Sequence, residues 1–318
     1  MMNDVIELIL KSQKINIIAH EDEDADSVGS CFAMKLALKS LGKEAECCFS
    51  SPTEKRIAFL GSDYTVFDEN TDYTADLCIC LDCGDIKRTG SRIKVLESAK
   101  NTLSIDHHET NTNFAEVNLV EAKAAATAEI LYTLFCEMGI GIDKEIAANL
   151  YAAISADTGS FKYSNVTPKT MQIAGELILT GIDHAQISRF LHDMDDVEVI
   201  KCKAELMQRI ESYFDGRFTL VTANDELFEK YGITERDSGD IVNIPRAVRG
   251  CEIAVSIREA AEKIKVSFRS NGEKSVSQLA MRFGGGGHAK ASGAKITGKT
   301  ADAVKEEIIK AVGELLND

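Results

Sequence analysis

Four short apolar runs alternate with helix-length segments through the first half of the chain. That alternation restricts the fold more than any other feature of the sequence. The runs are KINIIAH (14–20), EAECCF (44–49), ADLCICLD (75–82) and TLSIDHH (102–108). A short apolar run of this kind reads as a buried strand. Strands of a parallel sheet, covered on both faces, read as near-continuous apolar stretches. The segments DSVGSCFAMKLALKSLG (26–42), AAATAEILYTLFCEMG (124–139) and EIAANLYAAISADTG (145–159) instead space their apolar residues at helical intervals and end near a glycine. Strands alternating with helices predict an α/β fold with a doubly wound, mostly parallel sheet.

At 318 residues the chain is too long for one typical core. Helical patterns continue through 184–210, and then the texture changes. RFTLVTA (217–223), CEIAVSIRE (251–259) and KIKVSFRS (263–270) are β-rich, and TADAVKEEIIKAVGELL (300–316) is an amphipathic helix. We read residues 1–190 as the first domain, 191–216 as a helical connector, and 217–318 as a smaller C-terminal α/β domain with a mixed sheet. The charge is divided in the same way. Residues 217–318 carry 16 basic and 15 acidic side chains, so the net charge of −15 belongs to the first part. An acidic half suits cations and a neutral half can offer basic groups to an anion; solubility alone also favours surface acids. No apolar run is long enough to span a bilayer, and the N-terminus lacks a basic leader region, so a cytoplasmic location and no membrane partner are expected. The nine cysteines are scattered without zinc-ribbon spacing, and strand packing accounts for them.

The polar chemistry falls where the apolar runs stop. His20 closes the first run, Asp82 the third, and Asp106, His107 and His108 the fourth. In an open parallel sheet, ligands bind outside the carboxyl ends of the strands. The loop after the first run holds five acids within 21–26, of which Asp24 and Asp26 lie two apart. Asp157, near the end of a helical pattern, completes the set. Singly, each has an ordinary explanation: Asp26 as a helix cap, DCGD as a turn, adjacent histidines by chance. Together they are imidazole and carboxylate without thiolate, which suits Mn²⁺ or Mg²⁺, with Co²⁺ also compatible, and disfavours structural zinc. So many ligands suit two ions about 3.5–4 Å apart bridged by one carboxylate.

These motifs resemble the DHH phosphoesterase family along essentially the whole chain. His20 followed by Asp24, Asp26, Gly29 and Ser30 matches the first motif, Asp82 in DCGD the second, Asp106-His107-His108 the signature triplet, and Asp157 in ADTGSF the fourth. GGGGHAKASG (284–293) and SFRS (267–270) resemble the DHH-associated domain. Glu23 stands where the family usually has proline, Ala25 where it often has glycine, and Ser27 where it usually has alanine. The resemblance implies that His20, Asp24 and Asp82 bind one ion and that Asp26, Asp82, His107 and Asp157 bind the second. It further implies that His108 faces the scissile phosphate and that Asp106 supports the histidines. Glu21, Asp22 and Glu23 then read as solvated neighbours.

In the C-terminal part, Gly284, Gly285, Gly286 and Gly287 allow backbone N–H groups to approach a phosphate, and His288 follows them. Arg269 can hold a phosphate bidentately. Arg282 and Lys290 read as solvated, and His184 and His192 as structural. The expected activity is metal-dependent hydrolysis of phosphodiester or phosphomonoester bonds in small nucleotides: short oligoribonucleotides (nanoRNA) and 3′-phosphoadenosine 5′-phosphate, in a cleft between the domains. A long strand or duplex would demand a basic channel that this composition lacks. The alternative enzyme is a phosphodiesterase for cyclic di-AMP or its linear product pApA. An inorganic pyrophosphatase of the family would carry a basic cluster in place of the glycine-rich motif. From another class, a non-catalytic nucleotide sensor need not keep an intact two-metal set. The resemblance leaves room for a homodimer.

Overall fold

A computed structural model describes residues 2–239, 241–260 and 263–317. By their contacts the residues divide into two units, Met1–Met194 and Asp195–Asp318. The first begins with α1 (Met2–Lys11) and β1 (Lys14–Ile18), then α2 (Ala25–Ser40), β2 (Glu44–Phe49), β3 (Thr65–Val66) and β4 (Leu77–Leu81). It continues with α3 (Ile93–Glu97), β5 (Thr102–Asp106), β6 (Val117–Val120), α4 (Thr127–Glu137), α5 (Lys144–Asp157), α6 (Pro168–Leu179) and α7 (His184–Ser188). Its six strands pair in the order β3-β2-β1-β4-β5-β6, every pairing parallel. The order reverses between β1 and β4, which is the point where a doubly wound sheet opens a crevice at its carboxyl edge.

Pleating sorts β4 onto two cores. Leu77, Ile79 and Leu81 join the larger one with α2, α4 and α5, while Cys78 and Cys80 join the smaller one with Val95 and Leu96 of α3. All nine cysteines are free thiols, and all but Cys136 are buried, in keeping with a packing role. Helix α2 packs closely on α5. A Cβ at Gly29 would lie 2.8 Å from the Asn149 carbonyl, so only glycine permits this approach. The close packing brings the C-terminal end of α5, with Asp157, toward the first turn of α2.

The second unit contains α8 (Val197–Gln208), β7 (Glu211–Tyr213), β8 (Phe218–Asn224), α9 (Asp225–Tyr231), α10 (Glu235–Ser238), α11 (Asn243–Arg246), β9 (Ile253–Ala260) and β10 (Lys263–Ser270). It ends with α12 (Val276–Arg282), β11 (Gly286–Gly287), β12 (Ala291–Ile296) and α13 (Ala301–Asn317). The sheet order is β11-β12-β10-β9-β8-β7; β8 and β9 are parallel and the other pairs antiparallel. This is the mixed sheet anticipated from the sequence. Helix α8 lies within the span expected as a connector. Its Cys202 and Leu206 pack against Val221, Ala223, Leu227 and Phe228 of β8 and α9, inside the second unit. No described helix is long and apolar enough to cross a membrane.

Candidate metal centre

The first unit collects the predicted ligands at the carboxyl ends of β1, β4 and β5. His20 and Asp82 follow β1 and β4 by one or two residues, and both are buried. His20 Nε2 lies 3.5 Å from Asp82 Oδ2 and 3.7 Å from Asp24 Oδ2. His107 Nε2 lies 3.5 Å from Asp82 Oδ1 and 3.2 Å from Asp157 Oδ2. Candidate donor atoms of His20, Asp24 and Asp82 all lie within 4.8 Å of one another, as do those of Asp26, His107 and Asp157. Asp82 faces both groups.

The sequence reading puts Asp24 and Asp26 in a loop, whereas the structure builds both into the start of α2. Asp24 is the N-cap of α2: its Oδ1 accepts from Ser27 N at 3.0 Å while Ser27 Oγ accepts from Asp24 N at 2.9 Å, a reciprocal capping box. The bond to Ser27 occupies one oxygen of Asp24 and leaves Oδ2 on the His20 side. Asp26 lies within the first turn, fully buried. Its Oδ2 accepts from Thr127 N at 2.8 Å, and its Oδ1 accepts from Ala128 N at 3.2 Å and Ser30 Oγ at 3.0 Å. The amide groups at the start of α4 thus meet a carboxylate, where the helix dipole favours negative charge.

Asp82 sits at φ 54°, in the left-handed region where residues with a Cβ are strained. Its Oδ1 accepts from Thr127 Oγ1 at 3.0 Å. Sequence reasoning does not find Thr127. Its only local sign is its place at the start of a helical pattern, and the contact spans 45 positions. Asn111 is missed too: its Nδ2 donates to Asp106 Oδ2 at 2.6 Å. Asp106 Oδ1 in turn bonds His108 Nδ1 at 2.7 Å and accepts from His107 N at 2.9 Å, so the buried acid orients both histidines. The Ala124 carbonyl meets His107 Nδ1 at 3.2 Å, which turns Nε2 toward Asp82 and Asp157.

The electrostatics show what this cluster requires. Burial pushes the Asp26 carboxyl well up, and repulsion from Asp82 and Asp157 adds to it. Burial likewise raises Asp157, with His107 opposing. Burial disfavours the imidazolium forms of His20 and His107, yet bonds and attraction from the acids outweigh it, to about 10 for His20 and about 11 for His107. The imidazoles thus hold protons that compensate crowded carboxylates, a role that a bound cation takes over when it displaces those protons. Oxygen and imidazole donors, no thiolate and carboxylates crowded enough to need compensating protons together fit divalent cations.

Glu23 departs from expectation. It is not a solvated neighbour: its Oε1 accepts from Arg92 Nη1 at 2.7 Å and Ser50 N at 2.6 Å, and its Oε2 accepts from Ser50 Oγ at 2.6 Å. Glu21 and Asp22 are exposed. His192 Nε2 meets Ser155 Oγ at 3.0 Å and His184 stands edge-on to Tyr151, which are structural contacts.

In the second unit, Arg269 lies near the end of β10, its Nη1 donating to the Phe268 carbonyl at 3.0 Å. Register places Arg269 opposite Ala291, and Ala291 exchanges backbone bonds with His288 across the β11–β12 turn. Arg269 and His288 therefore share one end of this sheet. The glycines are partly explained by packing. A Cβ at Gly285 would lie 2.0 Å from the Gly293 carbonyl, and one at Gly287 would lie 2.7 Å from the Ala291 carbonyl. Gly286 has open space beside it. Arg282 pairs with Glu314 at 2.8 Å and Lys290 donates to the Gly272 carbonyl, so local partners hold both side chains.

A carboxylate–imidazole cluster with His20, Asp26 and Asp82 buried, at the switch point of a parallel sheet in a chain with a second mixed-sheet unit, defines the class: a two-domain phosphoesterase. Residues 14–154 match the model of the DHH family, N-terminal domain, and residues 219–318 that of the DHHA1 domain. The chain is similar to the bifunctional oligoribonuclease and PAP phosphatase NrnA of Thermus thermophilus, with 33% identity over 302 residues, covering 95% of this chain and 90% of that protein. The Bacillus subtilis protein of the same name is 28% identical, with 93% of each chain covered. The solved structure of an exopolyphosphatase-related protein from Bacteroides fragilis matches with a TM-score of 0.92 at 26% identity, over 100% of this chain and 97% of that one. RecJ from Thermus thermophilus, solved in complex with Mn²⁺, shares the fold with a TM-score of 0.59 at 14% identity, over 98% of this chain and 55% of that one. The chain belongs to the DHH family of phosphoesterases.

Proposed function

We propose that the protein hydrolyses short oligoribonucleotides to mononucleotides and removes phosphate from 3′-phosphoadenosine 5′-phosphate, with two divalent cations, Mn²⁺ as the native metal. The observation that carries this reading is Asp82, whose two oxygens face separate groups of ligands. His20, Asp24 and Asp82 would hold one cation; Asp26, Asp82, His107 and Asp157 would hold the other. When bound, such a pair lowers the pKa of water and neutralises phosphoryl oxygens. The chain's own residues do the rest. Thr127 fixes Asp82, and the α4 amides fix Asp26. Asp106 holds His108 through Nδ1 and raises its proton affinity against burial, so Nε2 can carry a proton to the leaving oxygen. Arg269, His288 and the loop of Gly284, Gly285, Gly286 and Gly287 would grip a terminal phosphate. The names of the relatives favour short RNA over cyclic dinucleotides, and the absence of a strongly basic composition favours a short substrate over a long strand.

The test is a turnover panel with Mn²⁺: end-labelled RNAs from dimer to 24-mer, cyclic di-AMP, 3′-phosphoadenosine 5′-phosphate and pyrophosphate. The dimer and trimer should be cleaved fastest and the 24-mer slowest. Preference for cyclic di-AMP would select the alternative enzyme, and no turnover of any substrate would leave a sensor. Arg269→Ala, run alongside, should keep its metal content and lose about 2–3 kcal/mol in kcat/KM on the dimer, the cost of a charge-assisted contact. Wild-type efficiency in Arg269→Ala would remove it from the substrate site.

A further inference from the structure

We infer that the ion pair between half-buried Glu23 and buried Arg92 positions the first cation site by cross-linking the two chain segments that carry its ligands. The inference rests on the two-cation reading. Glu23 lies between His20 and Asp24, in the short link from β1 to α2. Arg92 ends the turn that follows Asp82, Ile86–Arg92. The pair therefore ties the His20–Asp24 segment to the Asp82 segment across 69 positions of sequence.

The tether has more than one strand. Ser50, just past β2, donates to Glu23 through both N and Oγ. The same hydroxyl also lies 2.9 Å from the Glu21 carbonyl. Glu21 N donates to the Arg88 carbonyl at 2.7 Å, a second link between the same two segments. The Glu23 carboxylate is thus turned onto Ser50 and Arg92.

As a device for stability alone the pair is poorly made. Arg92 is fully buried, yet its Nε and Nη2 have no hydrogen-bond partner. A buried guanidinium left short of acceptors is costly, and apolar residues of similar volume often serve stability as well or better. What an apolar pair cannot supply is a fixed direction for the link that holds His20 and Asp24. Partners beyond the metal ligands commonly set metal affinity by about 10–100-fold.

The experiment compares the wild-type chain, Glu23→Ala/Arg92→Met and Glu23→Gln. The first variant removes both charges and keeps an apolar stem in the core, so that it folds; circular dichroism and thermal melting establish this. The second keeps an acceptor for Ser50 and Arg92. Mn²⁺ affinities are measured by calorimetric titration of the metal-free proteins. One of the two ions should bind the double variant at least about tenfold more weakly. The Glu23→Gln variant should stay within about threefold of wild type, because its remaining oxygen can still accept from Arg92 and Ser50 N while the Ser50 hydroxyl turns to accept from the new amide. A folded double variant that binds both ions as tightly as wild type would overturn the inference and leave the two-cation reading standing. Failure of the wild-type chain to take up two ions would overturn both.

Discussion

Replacing Asp82 with asparagine or alanine should abolish turnover while the fold survives. Its two oxygens lie 3.5 Å from His20 Nε2 and 3.5 Å from His107 Nε2, so it borders both groups of ligands. If Asp82 bridges the proposed pair, losing its carboxylate would weaken both cation sites at once, and we expect a fall of at least about 10³-fold in kcat. The two variants separate chemistry from folding. Asp82 has φ 54°, which asparagine tolerates and alanine resists by about 1–2 kcal/mol. Asparagine also keeps an acceptor for Thr127 Oγ1. Asp82→Asn should therefore keep the wild-type fold and still be inactive; its metal-free form should melt somewhat lower, because burial opposes the Asp82 charge but His20, His107 and His108 outweigh it and hold the carboxyl below its usual range. Steady-state kinetics on an RNA dimer, with circular dichroism as the control, reads both. Retention of more than about a tenth of the wild-type rate in Asp82→Asn would contradict a shared carboxylate.

Metal removal should be as severe. Protein treated with chelator should lose activity, recover best with Mn²⁺ and poorly with Zn²⁺, because the donors are carboxylate and imidazole without thiolate. Stability should move with it. Burial and the neighbouring Asp82 and Asp157 push Asp26 toward its protonated form when no cation is present. A cation that binds only the folded chain adds about 2.7 kcal/mol per site at a hundred times its dissociation constant. The melting temperature should accordingly rise on titration with Mn²⁺. Full activity in excess chelator would refute a metal-dependent mechanism.

The catalytic half is legible because a parallel sheet buries its strands on both faces. Such strands read as unbroken apolar runs, and the first polar residue after each run marks the carboxyl edge where ligands gather. His20, Asp82 and the Asp106–His108 triplet can be found that way. Strands β3 and β6 cannot: each is short and at an edge, and neither forms a long apolar run. Strand β12, ASGAKI, is hidden by small residues of low β-propensity, and its glycine reads with the phosphate motif. The packing need of Gly285 and Gly287 becomes visible only once β12 lies across them. The roles of Asp24 and Asp26 are blurred for a local reason. Either acid suits a helix cap, and the choice depends on whether Ser27 closes the box with Asp24. Glu23 is misread for a non-local one: its partner Arg92 lies 69 positions away, and nothing in HEDEDAD distinguishes an acid paired with a buried arginine from a solvated one.

The central claim is that six residues hold two cations around one aspartate. It is tested most directly by crystals grown with Mn²⁺ and an anomalous difference map collected at the manganese edge. The account predicts two peaks: one bound by His20, Asp24 and Asp82, the other by Asp26, Asp82, His107 and Asp157. A single peak, no peak, or peaks bound by other residues with Asp82 contacting neither would contradict it.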